Sequence, residues 1–148
     1  MSETRSKRHP ELVRDEATSK RLGRVRQRDT GPELIVRRML HGLGGRYRRS
    51  SKKLPGSPDI VNWSRRWAVF VHGCFWHWHN DCGRASVPKR NRAFWLAKLN
   101  ANRRRDCRVI ADLEALGFRT MVLWECEIEE RPLDVERKLS RFLARVAR

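Results

Sequence analysis

The stretch WAVFVHGCFWHWH, residues 67–79, joins five apolar residues to an unusual group of side chains. Residues 67–71 have the composition of a buried strand. The next eight residues contain three histidines, one cysteine and three large aromatic rings. Thiolates and imidazoles bind Zn²⁺, an imidazole accepts protons near neutral pH, and flat rings wedge between bases. A strand that ends in such a loop predicts a functional site.

Two further strands are predicted, over residues 59–61 and 118–124, because both are rich in β-branched and large apolar side chains. Thr30 and Glu33 have the spacing of a capping box and open a helix. A long helix is predicted over residues 92–116, and a last helix begins near Asp134 as its N-cap. Strands with helices before, between and after them predict an α/β sandwich.

The formal net charge is +17, from 34 Lys and Arg against 17 Asp and Glu. Residues 1–53 have a net charge of +10, residues 84–108 have +8, and the rest is close to neutral. Two basic segments on either side of a neutral middle indicate a polyanionic partner, with nucleic acid favoured over an anionic membrane. A merely solvated Arg-rich surface is the alternative.

The chain length suits one domain. We predict a basic, flexible N-terminal DNA-binding arm over residues 1–28 and one domain over residues 29–148. No stretch approaches the roughly 18 apolar residues of a membrane span, and residues 1–14 lack the apolar segment of a signal peptide. The expected location is therefore the cytoplasm.

Four side chains have the composition of a Cys₃His zinc site. Cys74, His79 and Cys82 are close in sequence, and Cys126 follows a predicted strand that could end near them. Four protein ligands would make a closed, structural Zn²⁺ site. Buried free cysteines are the alternative, since they are common in proteins. Cys107 is left over in the long helix.

Two carboxylates occupy positions that need a partner. Asp59 begins a strand after a Pro-Gly-Ser-Pro turn, where it could hold Mg²⁺ against a phosphate or simply cap the turn. Asp106 interrupts the apolar face of the long helix, which is unfavourable unless it is paired or bound. On pattern alone, Asp106 is either a structural partner for an Arg or His or part of an active site.

Six motifs occur in order along the chain: DTGPE (29–33), LPGSPDIV (54–61), VFVHGCFWH (69–77), FW (94–95), Asn102 with RD (105–106), and VLWEC (122–126). Together they resemble the very short patch repair (Vsr) DNA mismatch endonucleases, from Thr18 through Glu127. The resemblance implies a restriction-endonuclease-like, three-layer sandwich with a small central mixed sheet flanked by helices. It also implies Mg²⁺-dependent nicking of duplex DNA 5′ to the thymine of a T:G mismatch, the lesion left when 5-methylcytosine deaminates.

By the same resemblance, Asp59 and the main-chain carbonyl of Val71 would hold Mg²⁺, and His77 would be the general base. Glu33 and His72 would orient water and phosphate, with a capping box and a satisfied strand-end histidine as their respective alternatives. Asp106 would orient a histidine. The expected cofactors are thus one catalytic Mg²⁺ and one structural Zn²⁺.

The expected mismatch readers are Phe75, Trp76 and Trp95, which would insert beside the weak pair. A place in the core is the alternative, particularly for Trp95. The loop from Cys74 to Cys82 is one residue longer than in the family pattern, and Trp78 stands where His is common. His77 and His79 could therefore exchange the roles of base and zinc ligand.

The expected partner is double-stranded DNA with a T:G mismatch, bound by a monomer. By analogy, mismatch-repair proteins are further partners, and the location is bacterial cytoplasm, nucleoid-associated through DNA binding. Two other functions remain open at this point. One is a zinc-stabilised DNA-binding module without catalysis, and the other is a restriction-type nuclease acting on matched DNA.

Overall fold

A four-stranded sheet organises the computed structural model, which describes residues 29–49 and 52–147. The strands are β1 (Arg48–Arg49), β2 (Ile60–Asn62), β3 (Trp67–His72) and β4 (Arg119–Trp124), and they lie side by side in that order. β2 is antiparallel to both β1 and β3, whereas β3 and β4 are parallel. The sheet is therefore small and mixed. The N-terminal arm predicted over residues 1–28 lies outside the described residues.

Within the described residues, four α-helices accompany the sheet, and their ends follow local sequence signals. They are α1 (Gly31–Gly42), α2 (Arg92–Ala115), α3 (Glu125–Glu130) and α4 (Pro132–Val146), with a short 3₁₀ turn at Gly83–Ala85. Thr30 caps α1 by accepting a hydrogen bond from the Glu33 N–H. Gly117 follows α2 in the left-handed region, at φ +85°, which glycine adopts without strain.

The two faces of the sheet carry separate apolar cores because successive strand residues point to opposite sides. On one face, Ile60 and Val69 pack with Val36 of α1 and Leu139 of α4. On the other face, Val61, Ala68 and Phe70 pack with Leu113 of α2. Helices thus cover both faces, which confirms the predicted α/β class with a small central sheet.

The structure differs from the prediction in three elements. The last helix begins at Pro132, so Asp134 lies in its first turn and pairs with Arg137 at 3.0 Å instead of capping the helix. Proline suits this first position because its missing N–H would have no helical partner. The two-residue strand β1 and the short helix α3 have no clear periodic pattern in the sequence.

None of the described helices has the length and apolar content needed to cross a membrane.

Candidate active site and metal centre

The loop after β3 lies beside the segment after β4. The parallel register pairs His72 with Trp124, so both strands end at the same edge of the sheet. A cleft of about 680 Å³ opens at this edge, between α1, the end of the sheet and α2. The predicted site residues that line it are Glu33, Asp59, Val71, His72, Phe75, Trp76, His77 and Asp106.

Asp59 is partly buried and immediately precedes β2, which begins one residue later than the predicted strand. Its Oδ2 accepts a hydrogen bond of 2.7 Å from the Val71 N–H of β3. Burial raises the pKa of Asp59 to about 6, although the Val71 N–H opposes this rise, and the negative charge of Glu33 adds to it. An ionised carboxylate at this position is therefore poorly compensated by the protein alone, and a bound cation would stabilise it.

His77 and Asp106 form a hydrogen-bonded pair across the cleft. His77 Nδ1 lies 2.7 Å from Asp106 Oδ2. Burial opposes ionisation of Asp106, but its hydrogen bond and charge interaction with His77 outweigh burial, so the pKa of Asp106 is lowered. An ionised carboxylate can only accept, so Nδ1 carries a proton and donates it to this hydrogen bond, and Nε2 is the ring nitrogen that can accept.

His72 packs directly against this pair. Its ring stacks on that of His77 with 3.7 Å between centroids and 5° between planes. Burial, followed by the charge of His77, lowers the pKa of His72 to about 3. His72 is thus neutral at physiological pH, and it adds a polar ring to the cleft without adding positive charge.

Glu33 faces the same cleft from the first turn of α1, and it is 5% exposed. Its Oε2 accepts from the Asp29 N–H at 3.0 Å and from Arg37 Nη2 at 3.3 Å. One hydrogen bond of the predicted capping box is therefore present, from the Glu33 N–H to the Thr30 hydroxyl. In place of the second, the Glu33 carboxylate accepts from Asp29, the residue before the cap. The Glu33 carboxylate therefore hydrogen-bonds at the helix terminus and also lines the cleft.

Cys74, His79, Cys82 and Cys126 form a second cluster beside the cleft, and their ligand atoms all lie within 4.8 Å of one another. Cys126 Sγ lies 3.4 Å from His79 Nδ1. The His79 ring stacks on Trp124 at 4.1 Å between centroids, which holds its orientation. This group could hold a metal ion, and three sulfurs with one imidazole nitrogen are a donor set that suits Zn²⁺.

The chemistry of the cluster fits a metal. Burial raises the pKa of Cys74 and that of Cys126, so buried thiols this close together would remain protonated without a cation. A metal that displaces these protons would turn crowded neutral groups into ligands. Within the described residues, His79 belongs to this cluster and His77 pairs with Asp106, so each histidine faces a different set of partners.

The aromatic residues form a group at the mouth of the cleft. The ring of Phe75 lies 5.1 Å from that of Trp76 and 5.4 Å from that of Trp95, between centroids. Phe75 and Trp76 are partly exposed, whereas Trp95 is 5% exposed. The free protein thus presents two rings and supports them with a buried third.

Three basic residues at this site have no role in the sequence-based predictions, although Arg105 belongs to one of the motifs. Lys98 Nζ lies 5.6 Å from the Trp76 ring centroid, Arg37 pairs with Glu33, and Arg105 lines the cleft. Helical spacing could have identified two of them. Lys98 is three residues after Trp95, and Arg37 is four residues after Glu33, so each lies on the same helix face as its neighbour.

Comparisons with known proteins identify a family model and several relatives that this chain resembles. Residues 11–84 match the family model described as DNA mismatch endonuclease Vsr. A type II nicking enzyme of Xanthomonas oryzae pv. oryzae is 49% identical over 109 residues, which are 74% of this chain and 79% of the relative. The DNA mismatch endonuclease Vsr of Escherichia coli is 41% identical over 120 residues, 80% and 76% of the two chains. A type II nicking enzyme of Neisseria meningitidis is also 41% identical, over 81% of this chain and 87% of the relative.

Proposed function

Because the chain belongs to the Vsr family of DNA mismatch endonucleases, we propose that it nicks duplex DNA 5′ to the thymine of a T:G mismatch. The chain is a DNA endonuclease, and the proposal adds the lesion, the strand and the metal. One observation carries it: a single cleft is lined by the Asp59 carboxylate, the His77–Asp106 pair and the rings of Phe75 and Trp76. The proposed fold of the domain that contains this cleft, residues 29–148, is the restriction-endonuclease-like sandwich.

Asp59 and the main-chain carbonyl of Val71 would hold Mg²⁺. The raised pKa of Asp59 and its hydrogen bond to Val71 support this assignment, because they place an undercompensated carboxylate next to that residue. Bound Mg²⁺ supplies stabilisation of negative charge on the phosphate. Glu33 and His72, which line the same cleft, would orient water and phosphate there.

His77 would accept the proton of the attacking water at Nε2. Its Nδ1–H donates to Asp106, which fixes both the tautomer and the plane of the ring. The stacked His72 ring further restricts rotation of His77. Asp106 would thus position His77, which accounts for a carboxylate on the otherwise apolar face of α2.

Replacing Asp106 with asparagine should lower the nicking rate by about 10²-fold. An amide can donate as well as accept, so the His77 tautomer is no longer dictated by its partner. The measurement is the single-turnover rate on a T:G duplex. Asp112→Asn, at an exposed position of the same helix, is the matched control. Equal rates for the two variants would contradict the assigned role of Asp106.

Phe75, Trp76 and Trp95 are the proposed mismatch readers. Inserting rings between bases requires unstacking, which is less unfavourable at a weak T:G pair than at a matched pair. Phe75 and Trp76 are accessible in the free protein, and Trp95 would join the wedge only if the group of rings opens on the DNA. The basic arm over residues 1–28 would add phosphate contacts.

Replacing Trp76 with alanine should reduce the preference for T:G over T:A duplex by roughly 10-fold, since stacking on a base contributes about 1–3 kcal/mol. Affinity for matched duplex should change little, because phosphate contacts dominate it. Binding titrations on the two duplexes measure both quantities. Trp63→Ala is the control, since Trp63 is 42% exposed and packs on Phe118, away from the cleft. Equal losses on the two duplexes would count against wedging.

The Cys74, His79, Cys82 and Cys126 cluster is the proposed site of one structural Zn²⁺. All four positions of a tetrahedron would be filled by protein ligands, which leaves none for catalysis. The metal would fix the loop that carries both Trp76 and His77. The expected partners are mismatched duplex DNA and, by analogy, mismatch-repair proteins, and the expected state is a monomer.

A further inference from the structure

Trp78 stands between the two histidines of the loop and has an unusual backbone conformation. His77 precedes it and pairs with Asp106, and His79 follows it and joins the cysteine cluster. The φ of Trp78 is +47°, in the left-handed region that bulky residues rarely adopt. The loop holds this turn with the Trp78 N–H bonded to the Phe75 carbonyl at 3.2 Å. A strained residue at this position needs support from outside the loop.

Arg103 of α2 supplies that support. Its Nε and Nη2 donate to the Trp78 carbonyl at 3.0 and 2.5 Å, and Nη2 also donates to Asn80 Oδ1 at 2.7 Å. Its guanidinium lies over the Trp78 ring, 4.2 Å from the centroid. The guanidinium restrains the Trp78 main chain through its hydrogen bonds and the Trp78 side chain through stacking.

The neighbouring residues of α2 hold the adjacent positions of the same loop. Asn102 Nδ2 donates to the Trp76 carbonyl at 2.9 Å, and Asp106 pairs with the His77 ring. One segment of α2 therefore hydrogen-bonds to three successive loop residues, from Trp76 to Trp78.

We propose that Arg103 is a positioning residue for His77, acting through its hydrogen bonds to the Trp78 carbonyl and its stacking on the Trp78 ring. This rests on the proposed function, in which His77 accepts a proton. Among the described residues, the hydrogen bonds and ring contact of Arg103 are with Trp78 and Asn80. Its effect on His77 would therefore pass through the main chain that joins Trp78 to His77. A shift of about 1 Å in a catalytic side chain can lower a rate by about 10²-fold.

The test compares Arg103→Ala with Arg104→Ala, which removes an exposed arginine from the next position of the same helix. Single-turnover nicking of a T:G duplex should be about 10- to 100-fold slower for Arg103→Ala than for the control. Zinc content, duplex Kd and the salt dependence of Kd should match between the two variants. Arg103→Lys should recover only part of the rate, because an ammonium has no fork and no plane to stack.

A second readout does not depend on nicking. In ¹⁵N-labelled protein, the His77 Nδ1–H signal should shift or broaden in Arg103→Ala and remain unchanged in Arg104→Ala. If the wild type fails to nick T:G duplex, the proposed function fails, and this signal still tests the positioning role.

Three results would overturn the inference. Equal rates and equal His77 signals for the two variants would mean that Arg103 positions nothing. A loss confined to affinity, with a weaker salt dependence, would make Arg103 a phosphate contact. A rate that falls in step with zinc content would mean that the loop unfolds instead of misplacing His77.

Discussion

Asp59→Asn should lower the nicking rate on a T:G duplex by at least about 10³-fold, equivalent to about 4 kcal/mol of transition-state stabilisation. Asparagine has nearly the same shape as aspartate, and its amide oxygen can still accept from the Val71 N–H. The substitution therefore removes the negative charge while keeping the local hydrogen bond. Loss of that charge removes the proposed Mg²⁺ ligand.

Binding by this variant should stay close to that of the wild type, because most affinity for duplex DNA comes from phosphate contacts by basic residues. Removing an acidic group near the phosphate can only reduce repulsion. Asp112→Asn, an exposed carboxylate-to-amide change on α2, controls for the altered net charge. Normal turnover by Asp59→Asn in Mg²⁺ would refute the assignment of Asp59 as the metal ligand.

Cys126→Ser should lose most of the bound zinc and lower the melting temperature by about 10 °C or more. Cys126 lies at the start of α3, while the other three ligands belong to the loop after β3. A metal at this cluster therefore links two segments that are distant in sequence. Serine leaves a poor ligand in a buried position, so the loop would lose that link.

Cys107→Ser is the matched control, because Cys107 is exposed and lies outside the cluster. It should retain one zinc per chain and the wild-type melting temperature. Zinc content by elemental analysis and thermal unfolding measure both effects. Full zinc content in Cys126→Ser would contradict the four-ligand site.

Much of the fold was predictable because local signals and apolar periodicity agreed. The Thr30 cap, the glycine after α2 and the apolar strands β2 and β3 each appear in the structure. The elements that were missed have weak local signals. Arg48 and Arg49 are exposed charged residues, and they form a strand only because β2 offers them hydrogen bonds.

The site was predictable in composition but not in its pairings. Spacing identified His77 and His79 without showing which one joins the cysteines, because that depends on how the loop turns. The structure places His79 with the thiols and His77 with Asp106. It also buries Trp95, whose apolar neighbours on α2 are compatible with either a core or a DNA-facing position. Contacts between distant segments decide such questions, and periodicity does not report them.

A strand-labelled nicking assay in Mg²⁺ would show whether this chain cleaves specifically at T:G mismatches. The duplexes differ only in having T:G, T:A or C:G at one position, and wild type is compared with Asp59→Asn. We expect one nick, in the strand that carries the thymine and on its 5′ side, with T:G alone and with wild type alone. Tight binding without cleavage, or equal cleavage of the matched duplexes, would contradict this expectation.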